Sequence, residues 1–404
     1  MKKARSVFST VSRFLFVLFI LISAFLFTMF QGGEVSWTIF YILLPFILYS
    51  VVLFFYPLSS ITAERVIRTP AVQNGGKLIV SLSVNRKFRF PLLYTVVTEK
   101  FTDRQLDILA GGKQKRFLVF GFRNKVQWEY EIERMPRGEH VLEGVQIEVT
   151  DFFGWIRKSH FVQIKSSILV YPKIWDVHYN PIDTQYDRGT TISPFNIVKD
   201  TSMATGIRDY QSGDRVAWIH WKSFARTQTL MTKEFEDRRS QQLILVLDGR
   251  PSNSFEEQVE LAASILKEAS SHQDGIGFVT TGLEHSVFPS IQSEVHLQQA
   301  LIHLAKIKPT GSSSTVMKTN IGSALQQSTS MILITGSPDW PFLESVVQHS
   351  KSVRSVICFT VTKADGEKRM TFDNEIRIAR SRGIKVRIIT QSQFPEAFKE
   401  VNFI

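Results

Sequence analysis

The sequence predicts a membrane-anchored multidomain protein. It combines two transmembrane helices, a β-sandwich-like domain and a doubly wound, Rossmann-like α/β domain. Three observations carry that expectation. Two long apolar runs lie within the first sixty positions, separated by a short polar link. From Ala63 to Tyr171 short alternating segments follow one another with Gly and Asn between them, the habit of an antiparallel sandwich. Beyond Leu243, apolar strands alternate with segments of helical spacing, the habit of a sheet wound with helices.

The first run, Phe14 to Phe30, is almost continuously apolar, and the second, Trp37 to Tyr56, contains Pro45. Each is about long enough, at ~1.5 Å per residue, to cross a hydrocarbon core of roughly 30 Å. The polar link, 31–36, turns them into a helical hairpin. A proline is tolerated in such a helix where packing satisfies the freed carbonyl. A cleaved signal peptide fits poorly, because no A-x-A-like site follows the first run and a second run arrives at once. Lys2, Lys3, Arg5 and Arg13 precede the first run, Glu34 lies in the link, and Arg65 and Arg68 follow the second. The positive-inside rule then predicts a multi-pass protein of the cell membrane, in contact with membrane lipid, with both termini and the soluble body cytoplasmic.

The chain has 404 residues and a net charge of +11. Its length predicts two or three domains. The positive balance has a source in the membrane-facing side, where anionic lipid attracts Lys and Arg. Between Arg208 and Arg239 the basic residues are interrupted by Asp209, Asp214, Glu234, Glu236 and Asp237. Without a basic stripe, nucleic acid is not an expected partner. The single cysteine, Cys358, excludes an intramolecular disulfide and a cysteine-based metal site. Its apolar surroundings, Val356 to Phe359, read as core.

In the β region, strands are expected at 77–84, 91–101, 128–133, 145–149 and 155–164, with turns at 137–139 and 151–154. Pro172 to Ser202 carries Pro181 and Pro194 and no sustained period, which reads as a linker or a long ordered excursion. Strands at 243–247, 275–280, 331–335, 353–361 and 385–390 alternate with helices at 255–271, 295–307, 342–349 and 375–382. The expected domains are 1–60 for the hairpin, with helices about 14–30 and 37–56, then 63–172 for the sandwich. A linker and a distinctive segment occupy 173–240, and the α/β domain 241–395.

The distinctive segment runs from Gly206 to Glu236. Ser212-Gly213 makes a turn, and Asp214 can cap a short helix. On that helix Trp218, Trp221 and Ala225 share a face by i, i+3, i+7 spacing. Arg208, Arg215, Lys222 and Arg226 are expected to meet Asp209, Asp214 and Glu234 in a charge network. Such paired Trp residues beside Arg and Lys either wedge a segment against a domain or meet a partner.

This segment closely resembles the signature of domain-of-unknown-function family 58. The matching elements are Arg208-x-Tyr210, Gly213-Asp214, Ile219-x-Trp221-Lys222, Ala225-Arg226, Lys233-x-Phe235-Glu236 and a strand ending in Asp248. The resemblance covers about fifty residues and implies a von Willebrand A-like α/β domain in a membrane protein associated with a MoxR-type AAA+ ATPase. It implies a role as adaptor or assembly factor and no known reaction. The residues it marks for interaction are Arg208, Tyr210, Gly213, Asp214, Trp218, Trp221, Lys222, Ala225, Arg226 and Glu234.

A von Willebrand A-like domain often holds Mg²⁺ at the end of its first strand, through an Asp-x-Ser-x-Ser motif with a later Thr and Asp. Here Asp248 and Ser252 match, but Arg250 stands where the first Ser belongs and brings a fixed positive charge. The later loop reads Thr335-Gly336-Ser337, and Thr310 and Ser312 are the candidates for the Thr. With oxygen ligands missing, no metal is expected, and Arg250 is free to pair with Asp248.

Catalytic constellations are equally thin. No G-x-x-x-x-G-K-[ST] loop, G-x-S-x-G elbow or H-E-x-x-H pair occurs. His220 lies between two tryptophans and reads as a hydrogen-bonded structural residue rather than a base. The expectation is a non-catalytic, cofactor-free, membrane-anchored adaptor acting through protein contacts. The alternatives are a membrane-tethered hydrolase of unknown substrate and a structural envelope protein working through the β domain.

Overall fold

The computed structural model describes residues 2–69, 71–178, 199–211, 216–237, 243–271, 275–282, 286–310, 330–349, 353, 355–363 and 372–399. They form two compact units, Met1–Tyr171 and Pro172–Ile404.

The first unit begins with α1 (Lys2–Gln31) and α2 (Glu34–Phe55). Val11–Gln31 and Glu34–Phe55 are each long and apolar enough to cross a membrane. The turn between them is shorter than expected. Gly32 and Gly33 take φ of +62° and +97°, a region open to glycine without a Cβ penalty. The helices meet through rings: Phe14 stacks on Phe54 at 4.1 Å, and Phe25 meets Phe40 at 6.0 Å.

Two sheets follow. One has the order β1-β3-β6, from β1 (Ile61–Ile67), β3 (Leu78–Arg86) and β6 (Lys125–Ile132), all antiparallel. The other has the order β2-β8-β7-β4-β5, from β2 (Val72–Gln73), β8 (Arg157–Tyr171), β7 (Gly138–Thr150), β4 (Tyr94–Phe101) and β5 (Lys115–Leu118). The strands alternate because one face of each sheet is buried. Leu78, Val80, Leu82 and Val84 share one core with Val97, Leu142, Val145 and Ile147. Ile47 and Leu53 of α2 belong to the same core. The expected turn at 137–139 is instead the start of β7, entered through Gly138 at φ +140°.

Strands β1, β2 and β5 and the short helix α3 (Arg104–Leu109), capped by Asp103, escape the sequence pattern in this unit. Strand β1 also changes the charge count beside the hairpin. The side chain of Arg65 is fully buried and paired with Glu99 of β4. It is part of the core rather than a free flanking charge. Its guanidinium also donates to the Ile164 carbonyl at 2.7 Å and to Ser166 Oγ at 3.0 Å, while the Tyr130 hydroxyl donates to Glu99. Burial pushes the Glu99 carboxyl up to about 7, against the pull of Arg65.

The second unit opens with an extended strap. The Trp175 main chain donates to Ser264 Oγ, and its indole to Glu260, both at 2.9 Å. The six-stranded sheet has the order β13-β12-β11-β14-β15-β16. Its strands are β11 (Leu243–Leu247), β12 (Ile276–Thr280), β13 (Ser286–Ile291), β14 (Ser330–Thr335), β15 (Ser355–Val361) and β16 (Ile384–Ile389). All pair in parallel except β13, which is antiparallel to β12. Alternating strands and helices predict parallel pairing, and β13 departs from it. Strand β13 contains Pro289, which lacks a donor and fits only an edge, and the register shifts between its pairs Ile276–Ile291 and Phe278–Phe288.

Every residue of β11, β12 and β14 is buried, so both faces of the sheet are covered. On one face α7 (Trp340–His349) and α8 (Asp373–Ser381) place Phe342, Leu343 and Ile376 against Ile244, Val246, Leu333 and Cys358. Helix α5 (Phe255–Ser271) packs on β11, β12 and β14 and against α6 (Glu294–Lys306). Strand order reverses at β11, so a crevice opens beyond its C-terminal end, where open α/β sheets place ligands.

Candidate functional site

Two neighbourhoods of the second unit hold the residues that the sequence singles out. The first is a hairpin of β9 (Lys199–Asp209) and β10 (Met231–Asp237), with α4 (Trp221–Thr227) between its strands. Arg208 pairs in register with Thr232, and Gly206 with Glu234. The Tyr210 N–H donates to the Leu230 carbonyl at 3.0 Å, and the His220 N–H to Met231 at 2.8 Å. Thr232 and Ile219 are buried at the centre.

The local helix differs from the expected one. Val216–Trp218 is a separate 3-10 turn, and Ile219 then bridges to Thr232 in extended form. That bridge interrupts the helix, so Trp218 and Trp221 do not share one helical face. His220 caps α4, its Nδ1 accepting from the Ser223 N–H at 3.1 Å. Gly213, Asp214 and Arg215 lie outside the described residues, as does the side chain of Glu234.

Of the expected charge network, Asp214, Arg215 and the side chain of Glu234 fall outside the described residues, and the described members are Arg208, Asp209, Lys222 and Arg226. Arg208 donates to the Asp209 main-chain carbonyl at 3.0 Å. Lys222 and Arg226 are exposed on α4, and neither pairs with Asp209. Trp221 is 58% exposed, Ala225 is exposed and Trp218 is half-buried. The Trp221 ring meets Phe224 edge-on at 6.2 Å. Ile207, Tyr210 and Leu230 are exposed on the same hairpin. The Trp221 ring is thus open to solvent on α4, beside Lys222 and with Arg226 on the same helix.

The second neighbourhood is the crevice beyond β11. Arg250 fills it. Its guanidinium reaches Asp248 through Nε at 3.0 Å and through the terminal nitrogen at 2.8 Å. Its other terminal nitrogen lies 2.6 Å from Asp339 Oδ2, and the group also donates to the Ser337 carbonyl at 2.9 Å. The Phe342 ring lies 4.1 Å below it. Burial works against the charge, but Asp248 and Asp339 hold the guanidinium's pKa above its ordinary value.

Asp248 has further donors in the Thr335 hydroxyl at 2.6 Å and the Arg250 N–H at 3.0 Å. Ser252 accepts from Gln258. Thr310 donates its N–H to the Gly249 carbonyl at 3.0 Å, and Ser312 lies outside the described residues. A Cβ on Gly249 would lie 1.9 Å from the Thr281 carbonyl oxygen, so only glycine fits there. Among the described residues no group of three His, Cys, Asp or Glu side chains comes together as a metal cluster. The residues present do not fit a divalent ion, because the carboxylates that would hold one already hold a guanidinium. Thr335 belongs to the later loop that the sequence marks, whereas Asp339, two residues past Ser337, and Thr281 carry no such signal.

Cys358 is fully buried in β15, and burial pushes its thiol up to about 12. It is not a nucleophile at neutral pH.

Residues 206–368 match the family described as "Protein of unknown function DUF58". The "Uncharacterized protein YeaD" of Bacillus subtilis (strain 168) is 36% identical over 284 residues, covering 70% of this chain and 71% of that one. The chain belongs to the DUF58 family. The DUF58 match takes in Arg208, α4, β10 and the Arg250 crevice, and ends beyond β15. Among solved structures, the bacterial hydrophobin BslA aligns at 12% identity with a TM-score of 0.19, covering 28% of this chain and 98% of that one. Cwp6 from Clostridium difficile aligns at 10% identity with a TM-score of 0.17, covering 80% and 40%. Likeness at that level carries no argument on function.

Proposed function

We propose that this DUF58 protein is a non-catalytic, membrane-anchored adaptor or assembly factor. In this reading α1 and α2 cross the cell membrane, with both termini and the soluble body cytoplasmic. The second unit is a von Willebrand A-like domain with a degenerate ion site, and it engages a protein partner, a MoxR-type AAA+ ATPase. Support for the domain type comes from the strand order, which reverses at β11 and places helices on both faces of the sheet. The observation that carries the adaptor reading is the exposure of Trp221 on α4 of the β9–β10 hairpin.

In-cell crosslinking of the full chain tests it, against a folded Trp221→Ala, Arg226→Ala double variant. An AAA+ ATPase recovered by the parent and not by the variant supports the adaptor. Its absence from both removes the partner from the reading.

A further inference from the structure

The β strands of the first unit do not begin beyond the end of α2. Their loops run back along its flank. Ser50 Oγ donates to Asp151 at 2.6 Å, and the Tyr49 hydroxyl donates to the Pro91 carbonyl at 3.0 Å. The Phe46 ring meets Phe152 at 5.2 Å and Phe153 at 5.6 Å. Phe46 lies nine residues before the helix ends at Phe55, which is about 13 Å along the axis.

Three loops gather at this end: 86–93, 118–125 and 151–158. The registers place them together, since Ile61 faces Arg86, Asn85 faces Lys125, and Thr150 faces both Tyr94 and Arg157. Together they contain seven aromatic residues, seven basic residues and a single acid, Asp151. That acid is buried against Ser50 and the Ile156 N–H. The loops at the opposite end, 68–77, 102–114 and 133–137, contain no aromatic residue.

Four of these seven rings face outward, while Phe120 is buried in the core. Phe122 is 72% exposed and Phe153 50%, with Phe88 and Phe152 also exposed. Nor are the loops slack. Buried Arg86 ties two of them by donating to the Arg123 carbonyl at 2.8 Å and the Gly121 carbonyl at 2.7 Å. Lys158 ties the third to the end of α2, donating to the Phe54 carbonyl at 2.8 Å and the Tyr56 carbonyl at 2.6 Å. A cation there also complements the helix dipole.

We propose that this end of the first unit is a membrane-seated foot, with its aromatic loops in the headgroup and upper acyl region and its cations on anionic headgroups. The inference rests on the reading of α1 and α2 as membrane spans. If α2 crosses, rings that touch Phe46 lie at lipid depth. Aromatic belts sit at that boundary, and basic residues bind the anionic leaflet. The occupant of the exposed rings is therefore lipid.

Single cysteines placed in the full chain test this, because Cys358 is buried and stays unlabelled. Ile22→Cys, Phe122→Cys, Phe153→Cys and Ile108→Cys carry an environment-sensitive fluorophore in phosphatidylcholine–phosphatidylglycerol vesicles. The expected result is blue-shifted emission, quenched by spin-labelled lipid, at 22, 122 and 153. The label at 108, on exposed α3 at the other end, stays water-like and is quenched by iodide. Quenching by lipid at 22 but not at 122 or 153 overturns the foot and leaves the spans intact. Blue-shifted labels at 122 and 153 that lipid does not quench assign the surface to a protein and also overturn it. Loss of lipid quenching at 22 overturns the span reading itself.

Discussion

Arg65 and Arg250 each close on a carboxylate, one in each unit, and their surroundings differ. Arg65 of β1 and Glu99 of β4 come from different sheets, and both side chains are fully enclosed. Arg250 keeps 15% of its side chain exposed and bridges buried Asp248 to half-exposed Asp339. The first pair braces a core, where an ion pair costs desolvation and holds register. The second stands at the mouth of a sheet crevice, where a ligand would otherwise sit. The same chemical pairing thus reads as architecture in one place and as a closed site in the other.

The largest effect is expected from Arg65→Met. It leaves Glu99 buried without its partner, at a cost of about 3–5 kcal/mol. Amide exchange across β4, measured on the full chain in detergent, should show protection lost by that amount. Unchanged protection would mean that the brace is dispensable.

Next comes the pH dependence of the same pair. The folded Glu99 pKa is about 7, above an unfolded value of about 4.3. The folded state holds the proton more tightly, so this contribution is full below about pH 4.3 and is lost as pH rises through 7. The first unit should lose stability between pH 5 and 8, by on the order of 3 kcal/mol at most. Glu99→Gln should flatten that slope, and a flat slope in the parent would contradict the pKa assignment.

Arg250→Ser should cost less, about 1–3 kcal/mol, since the side chain is partly solvated. It also places a hydroxyl midway between Asp248 and Ser252. Calorimetry should then detect Mg²⁺ binding in the variant and none in the parent. Sub-millimolar binding by the parent, abolished in Asp248→Ala, would show that the crevice is open after all.

The smallest effect on the fold is expected at the hairpin. Trp221→Ala with Arg226→Ala should change stability by no more than about 0.5 kcal/mol, because both side chains are exposed. A larger loss by thermal unfolding would make the segment a wedge rather than a contact surface.

The paired helices were legible because each is a long apolar run, and the parallel strands of the six-stranded sheet because burial on both faces leaves nearly unbroken apolar runs. Strand β11 was expected at 243–247 and lies there. Strand β1 was not legible, because inward-facing Arg65 breaks its alternation. Pro289 disguised β13, and α3 is too short to show a period. The hairpin of β9 and β10 pairs residues separated by α4, so no local pattern announces it. The same holds for the crevice. Asp248 and Arg250 are near neighbours in sequence, whereas Thr335 and Asp339 arrive through the parallel pairing of β14 with β11. Composition named Trp221 but could not reveal that it faces solvent.

The two-glycine turn at Gly32 and Gly33 has a consequence for how the protein could be reached. In a bilayer-seated hairpin, a connection that short offers almost no epitope, no protease site and no receptor loop on the far side. On the proposed orientation, a message from outside the cell would find nothing to grip in this turn and would reach the hairpin sideways, through other chains or lipids within the membrane.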